Sequence, residues 1–123
     1  MNIALWIAAG LLAASFLGGG LAKVLQPREK LLGRMVWAED FTDGQVKAIG
    51  AVEALGAVGL ILPAVTGIAP VLVPIAATGL VITMLLAAAV HVRRGERNII
   101  GVNLALAAIA AFVAWGRFGP YAF

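Results

Sequence analysis

The sequence has no cysteine and a single histidine. It therefore carries no disulfide, no thiolate metal site and no thiol redox chemistry of its own. One histidine also excludes bis-histidine haem ligation within one chain. Charge is scarce: 12% of the 123 residues are Asp, Glu, Lys or Arg, against roughly a quarter in soluble domains. Aromatic residues make up only 7%. Apolar residues, by contrast, make up 63% of the chain, and the mean hydropathy is +1.03. A soluble domain of this size buries only roughly 60 to 70% of the surface its unfolded chain exposes. It could not hide this much apolar area, which argues against an ordinary globular enzyme and against a disordered tail. The pI near 10.0 does not make this a nucleic-acid module either, because the basic residues flank long apolar runs. No nucleic-acid partner is expected.

The apolar residues are organised in four runs. Residues 3–22 carry no charge, residues 48–66 carry only Glu53, residues 68–90 carry none, and residues 98–116 carry none apart from the polar Asn98 and Asn103. A membrane helix needs about 20 apolar residues. The runs predict an all-α fold: an antiparallel four-helix transmembrane bundle with spans at about 3–25, 46–66, 68–92 and 98–117. The whole chain, 1–123, reads as one integral membrane domain. The first four residues contain no basic side chain, so the first span is expected to be retained rather than cleaved as a signal peptide.

Basic residues set the expected orientation. Loops 1 and 3 with their edges hold Lys23, Arg28, Lys30, Arg34, Lys47, Arg93, Arg94 and Arg97, and the opposite side holds only Arg117. Loops 1 and 3 should face the cytoplasm and both termini the outside. Within loop 1, Leu31, Leu32, Met35 and Val36 share a helical face behind Pro27, which predicts a short amphipathic segment in the interface. A turn folded over the bundle mouth is the alternative. Thr42 and Gln45 have capping-box spacing and should launch the second span. Ser15, Thr78 and Thr83 can satisfy their hydroxyls on their own helix backbone. Arg93-Arg94-Gly95-Glu96-Arg97 reads as the topology signal, facing anionic lipid headgroups.

Four polar residues stand out, one on each span: Lys23, Glu53, His91 and Asn103. All four fall in the same half of the bilayer. Glu53 lies about 9 Å beyond Lys47 and Asn103 about 7.5 Å beyond Asn98, at 1.5 Å of rise per residue. Each shares a helical face with small residues: Ser15, Gly19 and Lys23; Gly50, Glu53, Ala54 and Ala57; Thr83, Ala87 and His91; Asn103, Ala107, Ala110 and Ala114. Small faces are the ones membrane helices pack together. The expectation is a polar pocket within the cytoplasmic half of the bundle. A charged side chain there costs about 2.5 to 3.5 kcal/mol on insertion scales. Glu53 therefore needs a partner, water or a proton; Lys23 is the first candidate and His91 the second. A Glu–Lys pair that only fixes helix register is the plain structural alternative. So are an interfacial His91 and an Asn103 that merely bonds a neighbouring helix.

Gly20-Leu21-Ala22-Lys23 with Pro27 just beyond, Gly50-Ala51-Val52-Glu53-Ala54-Leu55-Gly56, and Leu60-Ile61-Leu62-Pro63 resemble the DoxX-like family of small bacterial membrane proteins. The likeness covers nearly the whole chain, His91 and Asn103 included. It implies a four-helix protein of the bacterial cytoplasmic (inner) membrane. It also implies kinship with thiosulfate:quinone oxidoreductase and with membrane complexes that handle oxidative or thiol stress, although the missing cysteines speak against a direct thiol role here.

Three functional expectations follow. The first is a subunit of a membrane redox system that binds a quinone or lipid. In it Glu53 and His91 would be the catalytic, proton-exchanging groups, and Lys23, Asn103 and Trp37 would contact the ligand. A soluble redox partner would dock on loops 1 and 3. The second is a non-enzymatic scaffold or lipid-binding protein that associates with a second copy through Gly10, Gly18, Gly19 and Gly20. The third is an intramembrane isomerase or cyclase, with Glu53 as the acid and Trp37 and Phe41 over the mouth. No metal site and no covalently bound cofactor is expected.

Overall fold

The computed structural model describes residues 1–26 and 41–123, with Asp43 described by its backbone alone. The described residues form four helices: α1 (Asn2–Leu25), α2 (Asp43–Thr66), α3 (Leu72–Arg94) and α4 (Arg97–Phe118). Each is long and apolar enough to cross a membrane. The interfacial segment expected in loop 1, and Trp37 with it, lie outside the described residues.

The helix ends follow from local chemistry. Thr42 Oγ1 accepts from the Gln45 backbone N–H at 3.1 Å, and Gln45 Oε1 accepts from the Thr42 N–H at 2.9 Å. This reciprocal capping box satisfies two N–H groups that α2 would otherwise leave unpaired. α2 ends at Gly67, which takes the left-handed conformation (φ 72°) and returns its N–H to the Pro63 carbonyl. The third helix starts later than the apolar run alone suggests, at Leu72 rather than near 68. Gly67, Ala69 (φ 48°) and Pro70 build a turn first, and a run of hydropathy does not register backbone conformation. Pro74 then falls in the first turn of α3, where its missing N–H costs no helix bond. At the far end of α1, Lys47 Nζ donates to the carbonyls of Val24 (3.1 Å) and Gln26 (3.4 Å), placing a cation on the negative end of that helix.

The packing is built on small residues. Gly20 and Gly50 face each other across α1 and α2. A methyl group built on Gly20 would lie 2.6 Å from the Gly50 carbonyl oxygen, and one on Gly50 would lie 2.6 Å from the Gly20 oxygen. Only glycine permits this approach. The core between the helices holds Leu12, Phe16, Leu60, Leu80, Met84, Ala107, Ala110 and Val113.

The two ends of the bundle differ. At the end carrying the termini and the α2–α3 turn, large side chains fill glycine notches: Leu5 sits against Gly116, Leu80 against Gly56, and Ala76 against Gly59. Arg117 closes that end. Its Nη1 donates to Asn2 Oδ1 at 2.7 Å and to the Tyr121 carbonyl at 2.9 Å, and its guanidinium lies 4.0 Å from the Phe123 ring centroid. Toward the other end lie residues 49 and 52 of α2 and 83, 87 and 90 of α3. They are walls of a cavity.

Candidate functional site

The side chains of Lys23 and Glu53 converge because their helices are antiparallel. Lys23 lies one turn beyond Gly20 and Glu53 one turn beyond Gly50, in opposite directions from the crossing. Side chains on a helix lean toward its N-terminus. Lys23 therefore leans into the bundle and Glu53 leans toward the loop end, and they meet at the level of the glycines. Gly50 also leaves room for the Lys23 stem, since a methyl group there would sit 2.5 Å from the Lys23 Cβ. Lys23 Nζ donates to Glu53 Oε1, and both side chains are buried. The lone acid of the second span thus has the partner expected for it.

His91 has a different partner from the one its position suggests. It comes from the last turn of α3, which ends at Gly95 in the left-handed conformation (φ 71°). The Glu96 backbone N–H returns to the His91 carbonyl at 2.9 Å, a six-to-one closure characteristic of an αL glycine. That closure brings the Glu96 side chain back over the helix it has just left. Glu96 Oε1 lies 3.0 Å from His91 Nδ1 and 3.0 Å from Arg94 Nε. A carboxylate only accepts, so in this hydrogen bond Nδ1 carries the proton. The His91 hydrogen bond, followed by Arg94, holds the Glu96 carboxyl below its ordinary value against a desolvation that pushes it up.

Asn103 is buried one turn and a half into α4, at 6% exposure. Among the described residues its Nδ2 amide has no hydrogen-bond partner. Such a group carries a cost of about 1 to 3 kcal/mol unless something accepts from it.

Lys23, Glu53, His91 and Asn103 all line one cavity of about 1050 Å³. Its volume matches the upper range of small-molecule sites. Glu96, Arg97 and Asn98 border it at the α3–α4 turn, and Phe16, Phe41, Val52, Met84, Leu86, Val90, Ile99 and Leu106 supply apolar wall. Ser15 and Thr83 also line it, but their hydroxyls bond the Leu11 and Gly79 carbonyls of their own helices at 2.9 and 2.8 Å. Two details differ from the faces expected from sequence. On α1 the packed stripe runs through Phe16, Gly20 and Lys23; nothing approaches Gly19 within 4 Å of a methyl built there. On α3 the buried stripe runs through Met84, Ala88 and His91, with Thr83 and Ala87 half-buried beside it.

Glu96 is the site residue that sequence reading passes over. It stands among arginines and looks like part of a solvated turn. Its signal is a glycine immediately before it and a histidine five residues back. Phe41 borders the cavity; Trp37, which the isomerase reading sets beside it, lies outside the described residues. A candidate cluster of metal-binding side chains does not occur among the described residues.

What this arrangement can do chemically is limited and specific. It offers one free amide donor, one histidine with its proton side fixed, and one buried ion pair, at the polar end of an apolar slot. A family model described as the DoxX-like family matches residues 7–113 of the chain. Comparison with curated proteins and with solved structures gives no match.

Proposed function

The chain belongs to the DoxX-like family, and on that premise we propose that this multi-pass membrane protein binds a carbonyl-bearing amphiphile, a quinone in the first instance, as the membrane subunit of a redox system. The observation that carries the reading is the Asn103 amide, unpartnered among the described residues, at the polar end of an apolar-walled cavity. A buried donor without an acceptor costs free energy, and a ligand carbonyl is an acceptor of the right kind. Lipid and quinone both have an oxygen-bearing head and an apolar body, which suits a slot lined by Phe16, Met84 and Leu106 with a charged floor.

A bound quinone supplies the electron- and proton-accepting chemistry that this cysteine-free chain lacks. The residues of the chain bind, orient and handle protons. Asn103 Nδ2 donates to one ligand oxygen. His91, oriented through Nδ1 by Glu96, holds or releases a proton at Nε2, and Glu96 connects that ring to the turn between α3 and α4. Lys23 and Glu53 keep a paired charge beside the head group, so that a proton change nearby meets a polar rather than a hydrocarbon surface. Electrons come from a soluble partner, for which the basic loops 1 and 3 on the cytoplasmic side are the docking face.

The test is quinone binding to the purified protein in lipid nanodiscs, followed by intrinsic tryptophan fluorescence. Asn103→Leu is expected to weaken binding about tenfold, the equivalent of roughly 1.4 kcal/mol for one hydrogen bond, without loss of fold. Wild-type protein that binds neither ubiquinone nor menaquinone overturns the reading, as does binding unchanged in both Asn103→Leu and His91→Ala.

A second reading, a non-catalytic scaffold, draws on a separate observation. Gly10 and Gly18 lie on the exposed side of α1, with nothing within 4 Å of a methyl built on either. They suit a second copy of the chain, and a cross-linked dimer lost in Gly10→Leu and Gly18→Leu would support it.

A further inference from the structure

We propose that the cavity is entered sideways from the bilayer, between α2 and α3, so that its ligand is a long-chain membrane amphiphile whose tail leaves through that gap. This deepens the amphiphile-binding reading and rests on it. On α2 and α3, within the helices, three cavity-lining residues are at once outward-facing. Val52 is 56% exposed, Leu86 is 64% exposed, and Ala48 on the turn before Val52 is exposed as well; all three border the cavity. A side chain that both lines a cavity and faces outward marks the cavity's rim.

The gap follows from how the two helices pack. α2 and α3 touch where Leu80 enters the Gly56 notch and Ala76 the Gly59 notch. Three to four residues further from their shared turn they have no such notch, and the facing positions border the cavity instead. The depth is that of the acyl chains near their headgroups. Val52 lies five residues past Lys47 and Leu86 five before His91, about 7.5 Å in each case at 1.5 Å per residue. A head group reaching Asn103 would therefore keep its chain at a level where lipid is already apolar. Rim chemistry agrees, since alanine, valine and leucine present no group that a hydrocarbon tail must desolvate. On α1 and α4 the cavity is bordered by Ser15 and Ile99, which are exposed as well; Ile99 marks the competing exit, and Leu104, exposed on α4 but outside the cavity lining, serves as the control.

The experiment places tryptophan at the rim, in Val52→Trp and Leu86→Trp, with Ile99→Trp at the competing exit and Leu104→Trp as the control. All are exposed positions, and retained helicity and monodispersity in detergent verify the fold. Two probes are compared in nanodiscs: ubiquinone with its full polyisoprenoid tail, and the same quinone ring without a tail. The rim variants are expected to weaken the long-chain probe about tenfold, roughly 1.4 kcal/mol, and to leave the tail-less ring within about threefold. Leu104→Trp, outside the cavity lining, should affect neither. A quinone-independent readout uses the absence of native cysteine. In Ala87→Cys, a cavity-lining position, a long-alkyl maleimide delivered from the bilayer should react about tenfold more slowly once Leu86→Trp or Val52→Trp is added. Labelling unchanged by the rim variants, or slowed only by Ile99→Trp, overturns the α2–α3 portal. Absence of binding by either quinone, with labelling slowed as expected, keeps the portal and overturns the quinone reading alone.

Discussion

Adding one methyl group at position 50 should damage the protein far more than adding it at position 19. At Gly50 the new carbon would sit 2.5 Å from the Lys23 Cβ, 2.6 Å from the Gly20 carbonyl oxygen and 3.3 Å from Val24. Two of those atoms belong to the backbone or to the root of a side chain, so no rotamer change relieves the clash. α1 and α2 must separate, by about 1 Å to reach ordinary contact. Overpacking of this kind costs about 1 to 3 kcal/mol, and here it also draws Lys23 away from Glu53. Gly19 has nothing within 4 Å. Alanine gains up to about 1 kcal/mol of helix propensity at either helical position, so that gain cancels in the comparison. The expected difference between Gly50→Ala and Gly19→Ala is therefore the overpacking cost, about 1 to 3 kcal/mol. It is read from reversible unfolding in mixed micelles, with denaturing detergent as the titrant. Equal stability of the two variants would refute the close crossing, and with it the account of why the ion pair forms where it does.

Two further perturbations test neighbouring parts of the same argument. Lys23→Met alone leaves the Glu53 carboxylate buried without its partner and should cost about 3 to 5 kcal/mol, whereas Lys23→Met with Glu53→Leu should recover most of that loss; a single variant as stable as the double one in the same assay speaks against a buried pair. The Glu96 carboxyl is held below its ordinary value, so its contribution is complete above the unfolded pKa of about 4.3 and is lost as pH falls through the lower folded value. The thermal midpoint should therefore drop on the acid side in wild type and drop less in Glu96→Gln, measured by circular dichroism between about pH 5 and 3.

Much of this was legible in the sequence, and the failures are physical rather than accidental. Four spans follow from length and hydropathy because a bilayer leaves few alternatives to a helix. Lys23 and Glu53 follow because each is the ionisable residue embedded in its own span beside small neighbours. The exact stripe on α1 did not follow. Gly18, Gly19 and Gly20 are identical by composition, and the one that packs is chosen by the register of α2, where Gly50 requires Gly20 opposite it. On α3, polarity points to Thr83, but its hydroxyl is spent on Gly79 and the buried stripe is set by shape. His91 looked available to Glu53 because both belong to one half of the bilayer. Its partner is instead Glu96, brought back by the αL turn at Gly95, and a backbone reversal leaves no trace in a hydrophobicity pattern. Arg117 shows the opposite limit. Its contact with Asn2 joins residues 115 positions apart, and nothing local announces it.

The contrast between the two ends of the bundle bears directly on what the molecule is for. Where α1 meets α4 and α2 meets α3 toward the end carrying the termini, the glycine notches are filled by large or methyl-bearing side chains, and the Arg117 guanidinium is satisfied by Asn2, a carbonyl and an aromatic face. Stability alone would favour repeating that solution at the other end, since apolar contact and satisfied polar groups are what hold helices together in lipid. There the chain instead keeps about 1050 Å³ of space, buries an ion pair beside it, and leaves the Asn103 amide without an acceptor among the described residues. Leucine at position 103 would remove the unsatisfied donor, and isolated buried pairs are commonly matched or bettered by hydrophobic replacements. Sequences violate such local rules mainly where function compensates for the lost stability. The same reasoning requires Asn103→Leu to unfold no more easily than wild type while binding its ligand worse. A variant that lost stability and binding together would make Asn103 a packing residue and leave the open end of the bundle without its explanation.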